Sequence, residues 1–358
     1  MKIALLTTGG TIASQPTARG LAPAMDAQAL LERASGVRDM AEIVVENVFS
    51  LDSSNIQPEE WCVLARAADR ALRYADGVVI THGTDTMAYS AAALSYMLSG
   101  QVKPVIFTGS QLPIAHPLSD APANLAEAFL AATSGVSGVY IAFNRKLIHG
   151  ARAVKLRTTS FDAFDTVNAP LSGVFDADGL HWIAPQARSG AYRLLDGVDE
   201  RVFLLKLVPG TSPDVFDYIL QAGYRGVVIE AFGLGGIHYI RRNLVEKLRE
   251  LEAHGVICLV TTQCLYERAD FSVYEVGRNI LSEHVFSGRD MTTEAAVAKL
   301  MWMLGDWEAR GRFAQESVCG EIYCFTTYRP KFRKTGRERA RAGRTPSGCH
   351  PLRARRNR

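Results

Sequence analysis

Cysteine is scarce in this chain: six occur in 358 residues, at positions 62, 258, 264, 319, 324 and 349, without framework spacing. That scatter excludes a disulfide scaffold and fits free thiols in a reducing compartment. Cys319 and Cys324 have no second pair and no His at finger spacing, which excludes a zinc finger. Long apolar runs are missing too, since no window approaches the roughly 18 residues of a membrane span. Residues 2–6 hold one Lys and four apolar residues, fewer than the roughly 7–15 of a secretory core. A cytoplasmic protein without a membrane segment is expected. Phosphate-binding patterns are also lacking. Nothing basic follows Gly10 until Arg19, and Gly233-Leu234-Gly235-Gly236 has no third glycine at the required place. No G-x-S-x-G elbow occurs. His82 is the one histidine in its loop cluster, so neither a metal site nor a metal cofactor is expected.

Excess positive charge is absent from the body of the protein, despite a formal net charge of +3. Of 40 Lys and Arg and 37 Asp and Glu, residues 329–358 hold twelve basic residues and one acid, Glu338. The remainder is therefore acidic, by about eight charges. The tail has almost no apolar residues, which predicts disorder. It offers one aromatic, Phe332, to stack on a base, so a nucleic-acid partner is not expected.

What is present is alternation. Apolar β-rich runs at 2–8, 42–49, 77–81, 104–108 and 138–143 are separated by helical patterns at 26–34, 59–74, 87–98 and 123–134. Trp61, Leu64, Ala65, Ala68 and Leu72 recur at helical spacing. After a polar stretch at 186–200 a smaller series follows: strands at 201–208, 226–230 and 256–261, helices at 213–222, 241–254 and 292–304. The last helix opens on Thr292 as cap with the early acid Glu294. This pattern predicts an α/β protein of two doubly wound domains with mainly parallel sheets, the larger N-terminal. The expected divisions are 1–185, a linker at 186–200, 201–328, and the basic tail.

Four of the first five strands run into loops of small, hydroxyl and acidic residues: Gly9-Gly10-Thr11, Leu51-Asp52-Ser53-Ser54-Asn55, His82-Gly83-Thr84-Asp85-Thr86 and Gly109-Ser110-Gln111. In a parallel sheet all four emerge at the carboxyl edge, where such folds bind ligands. With phosphate and metal chemistry set aside, a hydroxyl nucleophile remains. Threonine needs a base or relay and a charge-stabilising pocket for that work. Thr84 and Asp85 precede an apolar helix, near its positive end. Lys155, in "HGARAVKLRTTS" after the fifth strand, could pair with Asp85 and draw a proton from Thr84. Turn formation and helix capping account for each of these residues singly; their convergence on one edge is what favours a site.

With these residues in view, the chain resembles the L-asparaginase/glutaminase family, and most the cytoplasmic type I asparaginases. Two signatures carry the resemblance, "TTGGTIAS" around Thr11 and "ITHGTDTMAYSA" around Thr84 and Asp85, with "LDSSN" between them. "TGSQLPI", "SDAPANL", "TTQCLYE" and "MTTEAAVAKLMWML" support it, over residues 1 to about 322. The resemblance implies hydrolysis of L-asparagine to L-aspartate and ammonia, without cofactor, through an acyl-enzyme on Thr11. Thr84, Lys155 and Asp85 would form the second hydroxyl and its proton relay. Asp52 and Ser53 would grip the α-carboxylate of the substrate, and Asp85 its α-ammonium.

Residues 14–23 resemble the family's mobile lid, with a departure at Leu21, where many members carry a Tyr thought to help activate the first Thr. The resemblance further implies a homodimer or homotetramer in which a neighbouring subunit completes each site, Tyr274 or Glu275 reaching across. Three alternatives differ in turnover: a glutamine-preferring amidohydrolase, an amidotransferase subunit feeding ammonia to a partner, and a non-catalytic amino-acid-binding relative. An amidotransferase component is disfavoured by the start of the sequence at "MKIALL", with no further N-terminal module.

Overall fold

The computed structural model describes residues 1–17, 20–23, 27–34, 36–186, 191–273 and 281–323. The expected tail at 329–358 and the residues Tyr274 and Glu275 lie outside them. Met1–Tyr323 forms one compact unit. Its larger sheet is built on the parallel strands β1 (Lys2–Gly9), β4 (Glu42–Leu51), β5 (Gly77–Thr81), β6 (Pro104–Thr108) and β7 (Gly138–Phe143). Between β1 and β4 lie two short strands, β2 (Ser14–Thr17) and β3 (Gly20–Pro23), which pair as a hairpin over the segment expected to be a lid. Leu21 is on β3 opposite Pro16, and its side chain lies outside the described residues.

Helices α1 (Ala27–Arg33), α2 (Pro58–Leu72), α3 (Met87–Met97) and α4 (Ala121–Ala132) cover the sheet. Strand β5 reads Gly-Val-Val-Ile-Thr and is buried at every position, as an apolar β-branched run must be when both faces are covered. One face packs on α2 and α3 through Leu6, Ile80 and Phe107. The other packs on α1 and α4 through Leu5, Val79 and Ile106.

Beyond β7 the sheet turns antiparallel, which the alternation in the sequence does not announce. Strand β8 (Lys146–His149) returns beside β7. A hairpin of β9 (Ala153–Lys155) and β10 (Phe164–Thr166) follows. Strands β11 (Gly173–Asp176) and β12 (Gly179–Trp182) then complete an eight-stranded sheet ordered β12-β11-β8-β7-β6-β5-β1-β4. Asn144 and Arg145 make the β7–β8 turn at φ 50° and 62°, the left-handed geometry tight hairpins demand.

The smaller domain has four parallel strands in sequential order, β13 (Val202–Lys206), β14 (Gly226–Ala231), β15 (Ile257–Thr262) and β16 (Val285–Ser287). Helices α5 (Asp214–Gln221), α6 (Leu244–Ala253) and α7 (Thr293–Leu304) pack on them. Thr292 caps α7 by accepting from Ala295 N at 3.1 Å. The polar segment before this domain runs without helix or strand at 191–200, yet it is packed. Leu195 N donates to Met97 O and Trp302 Nε1 to Leu195 O, both at 3.0 Å.

The two domains meet along α3 and α7. Tyr96 stacks on Trp302 with ring centroids 5.8 Å apart and donates to Ala295 O at 3.1 Å. Arg152, fully buried, reaches across to Asp290 O and Oδ2 at 3.0 and 3.2 Å. Helix α3 is thus buttressed from both domains, and its first turn holds the loop of Thr84 and Asp85. No helix among the described residues is long and apolar enough to cross a membrane.

Candidate active site

The four loops at the carboxyl ends of β1, β4, β5 and β6 interlock through backbone. Gly10 lies at φ 80°, and a Cβ there would stand 2.4 Å from Gly83 N and 2.5 Å from its Cα. Position 10 must therefore be Gly for the loops to touch, whereas a Cβ on Gly83 would meet the Ser53 side chain, 2.6 Å from its Oγ. Thr11 and Thr84 each follow one member of that contact, so two hydroxyl residues leave the same point of the edge. Strand β4 reaches this point through an irregularity: Thr7 pairs with Asn47 but Gly9 with Leu51, the added length bending the chain toward β1. Gly10 N then donates to Leu51 O at 3.0 Å. We expect Gly10→Ala to cost about 1–3 kcal/mol from its φ alone and to push the two loops apart. A lowered thermal midpoint together with lost activity would show it.

Ser53 is buried and ties its loop to the next. Its hydroxyl accepts from Asp85 N at 3.2 Å and its carbonyl from Thr86 Oγ1 at 2.8 Å. Asp52 does not join this network among the described residues. Its carboxylate accepts from Ser54 N at 2.9 Å and Ser54 Oγ at 2.7 Å, and these bonds hold it below the usual carboxylate range. Asp52 thus shapes the turn that presents Ser53.

Lys155 ends β9 and aims its ammonium at the loop that leads into α3. Nζ donates to Thr84 Oγ1 at 2.8 Å and to Asp85 Oδ1 at 2.6 Å. Thr84 is buried, whereas the Asp85 side chain is 65% exposed, so one end of this triad is dry and the other open to solvent. Thr11 is half-buried in a 3-10 turn, Thr11–Ala13. The carbonyl of Gly10, just before that turn, accepts from Ser14 Oγ at 2.9 Å.

His82, fully buried beneath the loop, contacts the Gly83 carbonyl through Nδ1 at 2.7 Å. A carbonyl only accepts, so Nδ1 carries the proton. Burial pushes the His82 pKa down to about 4, which leaves the ring neutral at pH 7 and makes it a brace for Gly83.

Sequence reasoning did not select Gln111, Asp120 or Asn124. Thr84 Oγ1 donates to Gln111 Oε1 at 3.3 Å. Asp120 accepts from the backbone N of Gln111 and Leu112 at 3.0–3.2 Å. Asn124 Nδ2 donates to Gly109 O at 2.9 Å. The available signal was "SDAPANL", an acid at a helix start with an amide one turn on.

Comparison with known proteins matches this architecture over both domains. Residues 2–188 fit the family "Asparaginase, N-terminal", and residues 201–315 fit the "Glutaminase/Asparaginase C-terminal domain". The chain belongs to the asparaginase family. Among asparaginase relatives, the L-asparaginase of Thermococcus kodakarensis is 40% identical over 328 residues, covering 90% of this chain and 99% of that one. The solved thermostable L-asparaginase from Thermococcus kodakarensis superposes with a TM-score of 0.85 at 40% identity, covering 90% and 100%. L-asparaginase I from Vibrio cholerae superposes with a TM-score of 0.79 at 29% identity, covering 90% and 99%. A Glutamyl-tRNA(Gln) amidotransferase component of Archaeoglobus fulgidus is 37% identical over 341 residues, with 91% of this chain and 80% of that protein covered. The expected fold class, α/β with mainly parallel sheets and the larger domain N-terminal, holds for this asparaginase-family chain.

Proposed function

We propose that this chain is an L-asparaginase that hydrolyses the side-chain amide of L-asparagine by threonine nucleophilic catalysis. The observation that carries the mechanism is the placement of one Lys155 ammonium against both Thr84 Oγ1, at 2.8 Å, and Asp85 Oδ1, at 2.6 Å. The relatives and solved neighbours named above supply the choice of substrate.

In the proposed reaction Thr11 Oγ attacks the amide carbon, and its proton passes to the departing nitrogen, which leaves as ammonia. The ester on Thr11 is then cleaved by water, returning the proton to Thr11 and releasing aspartate. Thr84, Lys155 and Asp85 carry protons in one or both steps. The Lys155 ammonium, held by Asp85, gives a proton to Thr84 Oγ1 as Thr84 passes its own toward the reacting centre, and recovers it when the proton flow reverses. Asp85, open on its other side, takes the α-ammonium of the substrate, and Ser53, presented by the turn that Asp52 caps, takes its α-carboxylate. Charge-assisted hydrogen bonds of this kind are about twice as strong as neutral ones. The hairpin β2–β3 acts as the lid over Thr11, and the active form is a cytoplasmic homo-oligomer whose neighbouring subunit completes the site.

A coupled ammonia assay with asparagine and with glutamine tests this reading on the wild-type protein. Asparagine turnover exceeding glutamine turnover is the expected result. A glutamine rate equal to or above the asparagine rate would reassign the substrate. Tight asparagine binding with no ammonia released would make the chain a binding protein.

A further inference from the structure

We propose that Gln111 is a positioning residue for amide hydrolysis, directing the Thr84 hydroxyl proton and referencing it to the loop that follows Lys155. This rests on the asparaginase reading above. A hydroxyl has one proton and two acceptor positions, and an ammonium can only donate. Lys155 at 2.8 Å therefore occupies a lone pair of Thr84, and the Thr84 proton must point elsewhere. Its acceptor is Gln111 Oε1 at 3.3 Å. That is the longest bond of the set, as is common for active-site hydrogen bonds before substrate tightens them.

The orientation of the Gln111 amide follows from its other partners. Nε2 donates to the carbonyls of Thr158 at 3.0 Å and Ser160 at 3.1 Å. Carbonyls cannot donate, so the NH2 end must face them and Oε1 must face Thr84. A flipped amide would lose both bonds and set oxygen against oxygen. Two contacts hold the residue from behind, as the carboxylate of Asp120, immediately before α4, accepts its backbone N at 3.0 and 3.1 Å. Thr158 and Ser160 belong to the loop between β9 and β10, the hairpin that carries Lys155. One amide therefore fixes both ends of the Lys155–Thr84 hydrogen bond. With its proton on Gln111, Thr84 keeps a lone pair on Lys155. It can hand that proton toward the reacting centre by a single rotation of the hydroxyl.

Two variants of the full chain test the role. Gln111→Met removes the acceptor at similar volume, and kcat for asparagine is expected to fall by about 10²-fold, the scale of a misplaced reacting group. KM should stay within about two-fold, because no substrate contact is lost. Gln111→Glu keeps an oxygen toward Thr84 but gives up both donors to the loop carbonyls. It should melt at a lower temperature than Gln111→Met while retaining a higher kcat, so that activity follows the acceptor and stability follows the donors. Should Gln111→Met fail to fold, Gln111→Glu decides alone, with activity retained despite a lowered midpoint as the supporting result. A kcat unchanged in Gln111→Met, or a kcat that tracks the melting temperature across both variants, overturns the proposal. A wild type without asparagine turnover removes both readings; turnover indifferent to Gln111 removes only the positioning role.

Discussion

Ammonia release from asparagine is expected to fall by about 10⁴-fold or more in Thr11→Ala, the scale seen when an acylated hydroxyl is deleted. The melting temperature should barely move. Thr11 is half-buried, and among the described residues its hydroxyl makes no hydrogen bond, so its loss stays within the roughly 0.5 kcal/mol of an ordinary surface change. Lys155→Met gives the informative contrast. It leaves the proposed nucleophile in place and removes the relay, for an expected loss of about 10²–10⁴-fold. Its effect on stability is also small, since the Asp85 partner is largely exposed and such pairs contribute about 0–1 kcal/mol. Steady-state kinetics beside thermal melts of both variants would check the pair. Thr11→Ala retaining a tenth of wild-type kcat would transfer the attack to another hydroxyl, with Thr84 first in line.

The second large effect lies far from the chemistry. Lys299, inside α7, and Glu321 form an ion pair at 2.6 Å with both side chains fully buried. Glu321 also accepts from Val318 N and Cys319 N at 3.0 Å and from Ser317 Oγ at 3.1 Å. Burial would raise its carboxyl, but Lys299 and these amides outweigh burial and hold it at about 2. Lys299→Met strands that carboxylate and should cost about 3–5 kcal/mol at pH 7, read by urea denaturation.

The pH dependence has a definite sign. A folded pKa below the unfolded value of about 4.3 means stability that is present above about pH 5 and lost as pH falls toward 2. In Lys299→Met the cation is gone and burial dominates, so protonation favours the folded form. The stability gap between variant and wild type should therefore narrow between about pH 5 and pH 3. A gap that stays constant across that range would mean that Glu321 is held down by the amides alone.

Most of the parallel framework could be read from sequence because burial on both faces leaves an unmistakable composition: Val78, Val79 and Ile80 in β5, Val105, Ile106 and Phe107 in β6. The antiparallel additions left no such trace. Strands β8, β9 and β10 are three or four residues long, too short for an alternation of period two to stand out. The pattern therefore puts Lys155 in a segment after β7 with no strand of its own, whereas it ends a hairpin strand. The residues around it were harder still. Gln111 owes its orientation to the carbonyls of Thr158 and Ser160, and a backbone carbonyl has no sequence identity to read. Asp52 was legible as a carboxylate in the right loop, while its bonds to Ser54 N and Oγ, which set the turn, were not. Thr292 was legible because capping is local, needing only its own helix.

The contact between Gly10 and Gly83, main chain upon main chain, has a practical corollary for anyone wishing to retune the molecule. Directed evolution works by exchanging side chains, and Gly10 and Gly83 have none to exchange; a library spread over 9–11 and 82–84 would also strike Thr11, His82 and Thr84 and return mostly dead clones. Productive diversity belongs one layer out, on the side chains of the 156–163 connection, which offers Gln111 its backbone carbonyls and can vary without parting the glycines.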